Sequence, residues 1–115
     1  MRNVFTFNNR LLLHKEFCGV LGVSNLYLKS FWRFNSCGCG RIGWCVPKKW
    51  VKLSSDRNCL KRLVRDTFRE HKVKQHGIDI LIKVHSPFKK NQKQEWRIVL
   101  VQLLDAYALL AATSN

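Results

Sequence analysis

Acidic residues are scarce in this sequence of 115 residues, which contains 7 aspartates and glutamates against 21 lysines and arginines. The formal net charge is therefore +14 at pH 7. So many uncompensated charges repel one another, and they persist most readily where a polyanion neutralises them. Nucleic acid is the first candidate for that polyanion, an anionic membrane the second and an acidic protein the third. A metal-dependent nuclease acting alone would need clustered carboxylates, whereas the acids here are dispersed.

A recognisable protein active site is also missing. The 4 histidines are scattered along the chain, and no paired carboxylates or nucleophile motif lie near them. The 5 cysteines are odd in number and irregularly spaced, which is not typical of a disulfide framework. Cys37 and Cys39 are separated by Gly38 alone, whereas structural zinc ligands are usually separated by about two to four residues. We therefore predict no catalytic residue and no metal bound by the protein alone.

Long apolar runs are absent as well, since no stretch approaches the roughly 20 residues that span a bilayer. Leu11, Leu12 and Leu13 are followed at once by His14-Lys15-Glu16, so we find no signal-peptide core. The hydrophobic fraction of 46% is sufficient for a core, and the length suits one domain. We therefore expect a single domain over residues 1–115, with residues 1–9 as a loose lead-in and a cytoplasmic location.

Hydrophobic periodicity and turn residues predict a single mixed α/β or α+β domain of packed layers. The predicted elements are a helix over 10–21, strands over 26–34 and 41–46, a helix over 57–72, a strand over 78–84 and a helix over 94–112. Two or three strands precede the middle helix, whose N-cap we assign to Ser54, Ser55 or Asp56. The last helix is expected to bury one face, composed of Trp96, Val99 or Leu100, Leu103 and Tyr107.

The helix predicted over 57–72 separates into two faces at roughly 100° per residue. The apolar face is expected to pack on the sheet and contains Leu60, Leu63, Val64, Thr67 and Phe68. The adjoining face points outward and contains Arg57, Asn58, Lys61, Arg62, Arg65, Arg69 and Lys72. Arginine binds phosphates bidentately, and Asn58 can bond a phosphate or a sugar hydroxyl. Because Asp66 and Glu70 are the only acids in this helix, a phosphate-binding ridge is favoured over a merely solvated face.

At this helix the sequence resembles the protein component of bacterial ribonuclease P. The signature of that family is matched by Arg57-Asn58, Lys61-Arg62, Arg65 and the aromatic Phe68. An upstream Gly-x-x-Val-x-Lys-Lys segment is matched by residues 43–49, and an N-terminal Arg-Leu followed by Phe is matched by Arg10-Leu11 and Phe17. The Asp79-Ile80-Leu81-Ile82 strand and the terminal amphipathic helix follow in the expected order. The resemblance covers roughly residues 10–108.

Two positions depart from the family pattern. Cys59 stands where the family usually has arginine, which removes one phosphate-binding group. Pro47 stands where the family usually has a small residue before the Lys-Lys pair. Because proline lacks an amide donor, the strand before it must end early or twist.

The resemblance implies an α+β fold with a central mixed sheet, a left-handed βαβ crossover and two RNA-binding surfaces. The outward face of the middle helix, Arg57 to Arg69, would bind the catalytic RNA together with Lys48 and Lys49 in the preceding loop. A cleft between the first helix and the sheet would hold the single-stranded 5′ leader of precursor tRNA. The aromatic residues that can stack on leader bases are Phe17, Tyr27, Phe31 and Trp32. We expect about half of them to fill the core instead, and we expect Lys29 and Arg33 to share the face of Phe31.

The resemblance further implies a non-catalytic protein subunit of an endoribonuclease. The RNA would carry the chemistry with Mg²⁺ held mainly by its own phosphates, while the protein assists removal of the 5′ leader. The expected partners are the catalytic RNA and precursor tRNA, with no membrane and no obligate protein partner. The alternative is a ribosomal or other structural RNA-binding protein, which the basic helix fits equally well, although the order of the motifs favours ribonuclease P.

Overall fold

The computed structural model describes residues 27–35 and 38–113. Three strands, β1 (Leu28–Phe34), β2 (Arg41–Cys45) and β3 (Ile78–Val84), form one sheet. Two helices pack on it, α1 (Ser54–Arg69) and α2 (Lys93–Thr113), and short 3₁₀ helices cover Lys72–Gln75 and Lys90–Gln92. The lead-in over 1–9, the helix predicted over 10–21 and Phe17 lie outside the described residues.

The sheet has the strand order β1-β3-β2 and is mixed. β1 runs antiparallel to β3, with Leu28 opposite Val84, and β2 runs parallel to β3, with Arg41 opposite Asp79. Because two adjacent parallel strands are joined through α1, they form a βαβ unit. The predicted α+β class with a central mixed sheet is confirmed, and in the described residues two strands precede α1. The left-handed sense of the crossover stays a prediction.

Both strands that precede α1 are slightly shorter than predicted. β1 begins at Leu28, whereas the predicted start at Leu26 lies outside the described residues. β2 ends at Cys45, one residue before the predicted end and two residues before Pro47. A proline cannot donate to a strand ladder, so the early end agrees with the effect expected of Pro47. The bounds predicted for β3 are confirmed.

α1 begins and ends about three residues earlier than predicted. Its N-cap is Leu53, an extended residue whose side chain makes no cap hydrogen bond, so the assignment to Ser54, Ser55 or Asp56 was wrong. The reason lies in Arg57, whose Nη1 donates to the carbonyl oxygens of Val51 at 2.9 Å and Lys52 at 2.8 Å. The side chain of Arg57, in the first turn of α1, therefore holds the loop that precedes the helix. The N-cap residue Leu53 provides no side-chain hydrogen-bond acceptor.

The core lies between the sheet and the two helices. All five residues predicted for the apolar face of α1 are buried, which confirms that face: Leu60, Leu63, Val64, Thr67 and Phe68. They pack with the helix-facing residues of the strands, including Leu28, Ile42, Ile80 and Ile82. Burial of each such large apolar side chain contributes about 1.5–3 kcal/mol. The strand residues that point to this side of the sheet thus form what we call the helix face.

α2 closes the core with a broad apolar surface. Trp96, Leu100, Leu103 and Tyr107 are buried as predicted, and the Tyr107 hydroxyl lies 2.8 Å from Ser30 Oγ on β1. By length and composition, Lys90–Thr113 meets the criterion for crossing a membrane, with a mean hydropathy of 1.4, although the sequence shows no uninterrupted apolar run of that length. The residues that α2 buries in the domain core supply part of this hydropathy, since 39% of the window that meets this criterion is buried, while Ile98 and Leu109 are exposed.

Candidate nucleic-acid interface

The outward side of α1 is a row of cations and amides on a rigid support. Asn58, Arg62, Arg65 and Arg69 are exposed, while Lys61 is half-buried. In the loop after β2, Lys48 and Lys49 are exposed too, and the Lys49 ammonium lies 5.3 Å from the ring centroid of Trp50. Because the opposite side of α1 is held in the core, these side chains have a fixed register. We call this row with its loop the α1 face.

Arg57 has a different role from its neighbours. Its Nη1 is occupied by the two carbonyl oxygens of the preceding loop, so this arginine fastens the segment that follows Lys48 and Lys49 to α1. The sequence predicts Arg57 only as a phosphate ligand. The structure therefore adds a positioning role, since Arg57 holds the loop lysines beside the helix.

The positive charge of the α1 face is partly compensated at its C-terminal end. Asp66 Oδ1 accepts a hydrogen bond from Arg69 Nη2 at 2.6 Å and lies 3.5 Å from Arg65 Nε. Such exposed pairs contribute about 0–1 kcal/mol and yield readily to a competing anion. Among the residues the structure describes, no carboxylate pairs with Lys61 or Arg62. Asp56 is the one acid in the first three turns of α1, which also contain Arg57, Lys61 and Arg62, so the excess of positive charge lies there.

The other side of the sheet, which we call the open face, combines polar and basic residues with the fully buried Leu81 of β3, which stands opposite Phe31. Strand alternation and register bring together on it Lys29, Phe31 and Arg33 of β1, Arg41 and Cys45 of β2, and Asp79 and Lys83 of β3. Lys29 and Lys83 stand opposite each other and are exposed, while Phe31 is half-buried. This confirms the predicted arrangement of Lys29 and Arg33 on the face of Phe31.

A buried carboxylate organises one end of the open face. Asp79 is fully buried and accepts hydrogen bonds from Arg41 Nε at 2.8 Å, Arg41 Nη2 at 2.7 Å, Arg33 Nε at 2.9 Å and Asn35 Nδ2 at 2.7 Å. Burial alone raises the pKa of Asp79, but the hydrogen bonds from Arg41, Asn35 and Arg33 outweigh it and lower the pKa below its ordinary value of 3.8. Arg33 and Arg41 thus both donate to the one carboxylate of Asp79.

The aromatic residues of the first strand segment do not lie together. Trp32 is on the helix face, where its ring packs edge-on against Phe34 with centroids 4.9 Å apart. Tyr27 packs on Trp96 at 5.1 Å and donates its hydroxyl to Glu95 Oε1 at 2.5 Å. That hydrogen bond is the main cause of the raised pKa of Tyr27, with burial and the Glu95 charge adding to it.

Among the three described aromatics of the predicted cleft, Phe31 therefore stands alone on the open face. Tyr27 and Trp32 both pack against the helix-side core. The sequence identified the aromatic strand, but alternation alone does not tell which of its two sides the helices cover.

Three further cations lie next to the α1 face and were missed in the sequence. Lys90, Lys93 and Arg97 line one side of a groove of about 420 Å³, and residues of α1 line the other. The segment that contains Lys90 and Lys93 is predicted as a polar linker before a helix beginning at residue 94, so the sequence pattern does not indicate this row. Lys93 and Arg97 share a helical face because the helix begins at Lys93 in the structure. Within residues 27–35 and 38–113, no group of three or more His, Cys, Asp or Glu is arranged to hold a metal ion.

Comparison with known proteins identifies the family of this chain. A family model described as Ribonuclease P matches residues 5–108. The chain belongs to the ribonuclease P protein family. Membership confirms the resemblance seen in the sequence and makes this an RNA-binding subunit of an RNA–protein enzyme with a role in tRNA processing. The alternative of a ribosomal protein is thereby set aside.

Relatives in the ribonuclease P family match over different lengths. The chain is 32% identical to the ribonuclease P protein component of Chromobacterium violaceum over 111 residues, which cover 93% of this chain and 92% of that one. It is 45% identical to the component of Blochmanniella floridana over 56 residues, which cover 49% of this chain and 47% of the relative.

Solved structures of ribonuclease P proteins share the fold. The protein from Thermotoga maritima is 27% identical, with a TM-score of 0.61 and coverage of 94% of both chains. The protein from Staphylococcus aureus is 21% identical, with a TM-score of 0.65 and full coverage of both chains, and this likeness concerns the fold alone.

Proposed function

We propose that the α1 face binds the catalytic RNA of ribonuclease P. The observation that carries this proposal is the division of α1 into a wholly buried apolar side and an outward basic side. The residues proposed to contact the RNA are Arg57, Asn58, Lys61, Arg62, Arg65, Arg69, Lys48 and Lys49. Fixed cations on a folded support meet phosphates with little loss of side-chain freedom, and each phosphate neutralised releases counterions.

We propose that the open face contributes to binding the 5′ leader of precursor tRNA. Phe31 offers a partly exposed ring for base stacking, and Lys29 and Lys83 flank it with positive charge. Stacking on an aromatic side chain tolerates any base, which suits a leader of variable sequence. Phe17 remains a proposed leader contact, whereas contacts through Tyr27 and Trp32 would require their rings to leave the helix-side core.

We also propose that the RNA carries the cleavage chemistry and that Mg²⁺ is held mainly by RNA phosphates. The protein then acts through electrostatics and position, because cations near crowded phosphates replace part of the Mg²⁺ that would otherwise screen them. It assists endonucleolytic removal of the leader in tRNA 5′ maturation. A cytoplasmic location without a membrane or an obligate protein partner belongs to the same proposal.

Reconstituted cleavage tests this function. Precursor tRNA is incubated with the cognate ribonuclease P RNA over a range of Mg²⁺ concentrations, with and without the protein. We expect the protein to lower the Mg²⁺ concentration needed for half-maximal cleavage, and we expect the protein without RNA to leave the substrate intact. The matched control is the variant with Lys61, Arg62 and Arg65 replaced by alanine, which keeps the buried side of α1. Cleavage of precursor tRNA by the protein without RNA would contradict the proposal. So would a triple variant that lowers the Mg²⁺ requirement as much as the wild-type protein does.

A further inference from the structure

A groove runs beside the α1 face, between α1 and the N-terminal end of α2. From α1 it is lined by Asn58, Cys59 and Arg62, and from the facing segment by Lys90, Lys93 and Arg97. All of these side chains are exposed except that of Cys59, which is half-buried. Asn58 and Arg62 therefore belong both to the α1 face and to this groove, so the two surfaces are continuous.

The charges of the residues that line the groove do not balance one another. Arg62, Lys90, Lys93 and Arg97 provide four cations, and the one acid among the lining residues is Asp66, which is already held by Arg69 at 2.6 Å. The nearest acid on α2, Glu95, is engaged by the Tyr27 hydroxyl. Lys93 and Arg97 stand four residues apart on one helical face, an arrangement of like charges that destabilises a helix unless an anion lies between them.

The segment that carries Lys90 is held in place by its own hydrogen bonds. The Lys89 amide donates to Gln92 Oε1 at 3.0 Å, and the Gln92 amide donates to the Lys89 carbonyl oxygen at 2.8 Å. Lys90 therefore projects from a closed turn that leads directly into α2. A groove walled by a closed turn and a core helix is suited to hold an extended anion such as a phosphodiester backbone.

We propose that this groove is an additional phosphate-binding site for the catalytic RNA, formed by Lys90, Lys93 and Arg97 across from Arg62. The inference rests on the proposed function of the α1 face. Both helices pack on the helix face of the sheet, so the groove lies on the opposite side from Phe31 and continues the surface assigned to the catalytic RNA. Cations from α2 thus supply positive charge beside Cys59, where the family usually has arginine.

Salt-dependent binding tests the groove. The variant Lys93→Ala/Arg97→Ala removes two exposed cations, and the matched control Lys29→Ala/Lys83→Ala removes two exposed cations from the open face. We expect the log-log salt slope for binding the cognate catalytic RNA to fall by roughly two in the groove variant and to stay unchanged in the control. The variant Cys59→Arg adds a cation to the groove and should increase the slope by about one. Circular dichroism melts verify that all three variants are folded.

Thiol protection locates the contact independently. Alkylation of Cys59 and of the exposed Cys45 on the open face is followed by mass spectrometry in the wild-type protein, alone, with catalytic RNA or with precursor tRNA. We expect catalytic RNA to slow alkylation of Cys59 several-fold and to leave Cys45 unchanged. Protection of Cys59 by precursor tRNA instead would overturn the assignment to the catalytic RNA.

The outcomes separate this inference from the proposed function. If the wild-type protein lowers the Mg²⁺ requirement but the groove variant keeps the wild-type salt slope and Cys59 stays unprotected, the groove is a solvated surface and this inference alone fails. If the wild-type protein has no effect on cleavage, the proposed function fails whatever the groove binds.

Discussion

The two sides of the three-stranded sheet are built from the same strands but have opposite characters. The helix face buries an apolar layer that includes Leu28, Ile42 and Ile80, and it carries both helices. Among the described residues, the open face carries cations, one aromatic ring, the fully buried Leu81 and a carboxylate, Asp79, which accepts hydrogen bonds from two arginines and an asparagine. Alternation along each strand thus places the apolar layer that packs on the helices on one side of the sheet and the cations of the three strands on the other.

This difference also divides the basic charge into two groups. Cations of the α1 face and the groove lie on the helix side, while Lys29 and Lys83 lie on the open side. Under the proposed function, this division would let one basic protein hold two segments of RNA on opposite surfaces without bringing their phosphates together. Substitutions that affect one side of the sheet and spare the other test this division.

The largest effect is expected at Asp79. Replacing it with asparagine removes the charge that holds Arg33 and Arg41, and loss of one partner of a buried pair should lower the free energy of unfolding by about 3 kcal/mol. Because the pKa of Asp79 in the folded protein lies below its ordinary value of 3.8, the carboxylate stabilises the fold above that value, and this contribution is lost as pH falls through the folded pKa. Denaturant unfolding at about pH 7 and about pH 3 measures this, and the gap between wild type and Asp79→Asn should narrow at the lower pH.

A smaller loss is expected on the helix side at Gly40. A Cβ atom there would lie 2.9 Å from Lys74 Cα and from the Val73 carbonyl oxygen, and 3.1 Å from Phe68 Cζ. Gly40→Ala must therefore displace backbone, at a cost of about 2 kcal/mol in unfolding free energy. Gly38→Ala is the informative contrast, because its Cβ meets no atom within 4 Å and any cost comes from its φ of +79°. Equal thermal stability of Gly40→Ala and wild type would contradict the close packing.

Phe31 and Trp32 are neighbours on β1 that point to opposite sides of the sheet, so they test the difference between the two sides within one strand. Phe31→Ala should weaken binding of precursor tRNA with a leader by about 1–2 kcal/mol and leave binding of mature tRNA unchanged, because the proposed stacking partner of the Phe31 ring is a leader base. Trp32→Ala should instead lower stability and weaken both RNAs equally. Binding curves for the two RNAs and a thermal melt of each variant give the answer. A leader-specific loss of binding in Trp32→Ala, together with a loss of stability in Phe31→Ala, would contradict the assignment of the leader to the open face.

The smallest effect concerns a hydroxyl in the core. Thr67 Oγ1 is buried on α1 with no hydrogen-bond partner in the described structure. Thr67→Val keeps the shape and removes the unpaired polar atom, so the free energy of unfolding should increase by about 1 kcal/mol. Chemical denaturation measures this change, and a decrease would mean that the hydroxyl is satisfied in solution.

Local patterns in the sequence predicted α1 and α2 well because their periodicity reports directly which side is buried. The start of α1 was not predictable in this way, since Arg57 fastens the loop through backbone oxygens that propensity does not describe. Strand alternation shows that Phe31 and Trp32 point to opposite sides of the sheet, but it does not show which of those sides the helices cover. The groove joins Arg62 to Arg97 across two elements and follows only from the packing of α1 against α2.

The most direct test of the two-sided division compares two variants that each lose two cations. Lys61→Ala/Arg65→Ala affects the α1 face, and Lys29→Ala/Lys83→Ala affects the open face. Affinity is measured for the catalytic RNA and, in the assembled holoenzyme, for precursor tRNA relative to mature tRNA. We predict that the first variant loses affinity for the catalytic RNA and keeps the preference for precursor tRNA, whereas the second keeps the RNA affinity and loses that preference. Equal losses of both properties in both variants would contradict the assignment of one RNA to each side of the sheet.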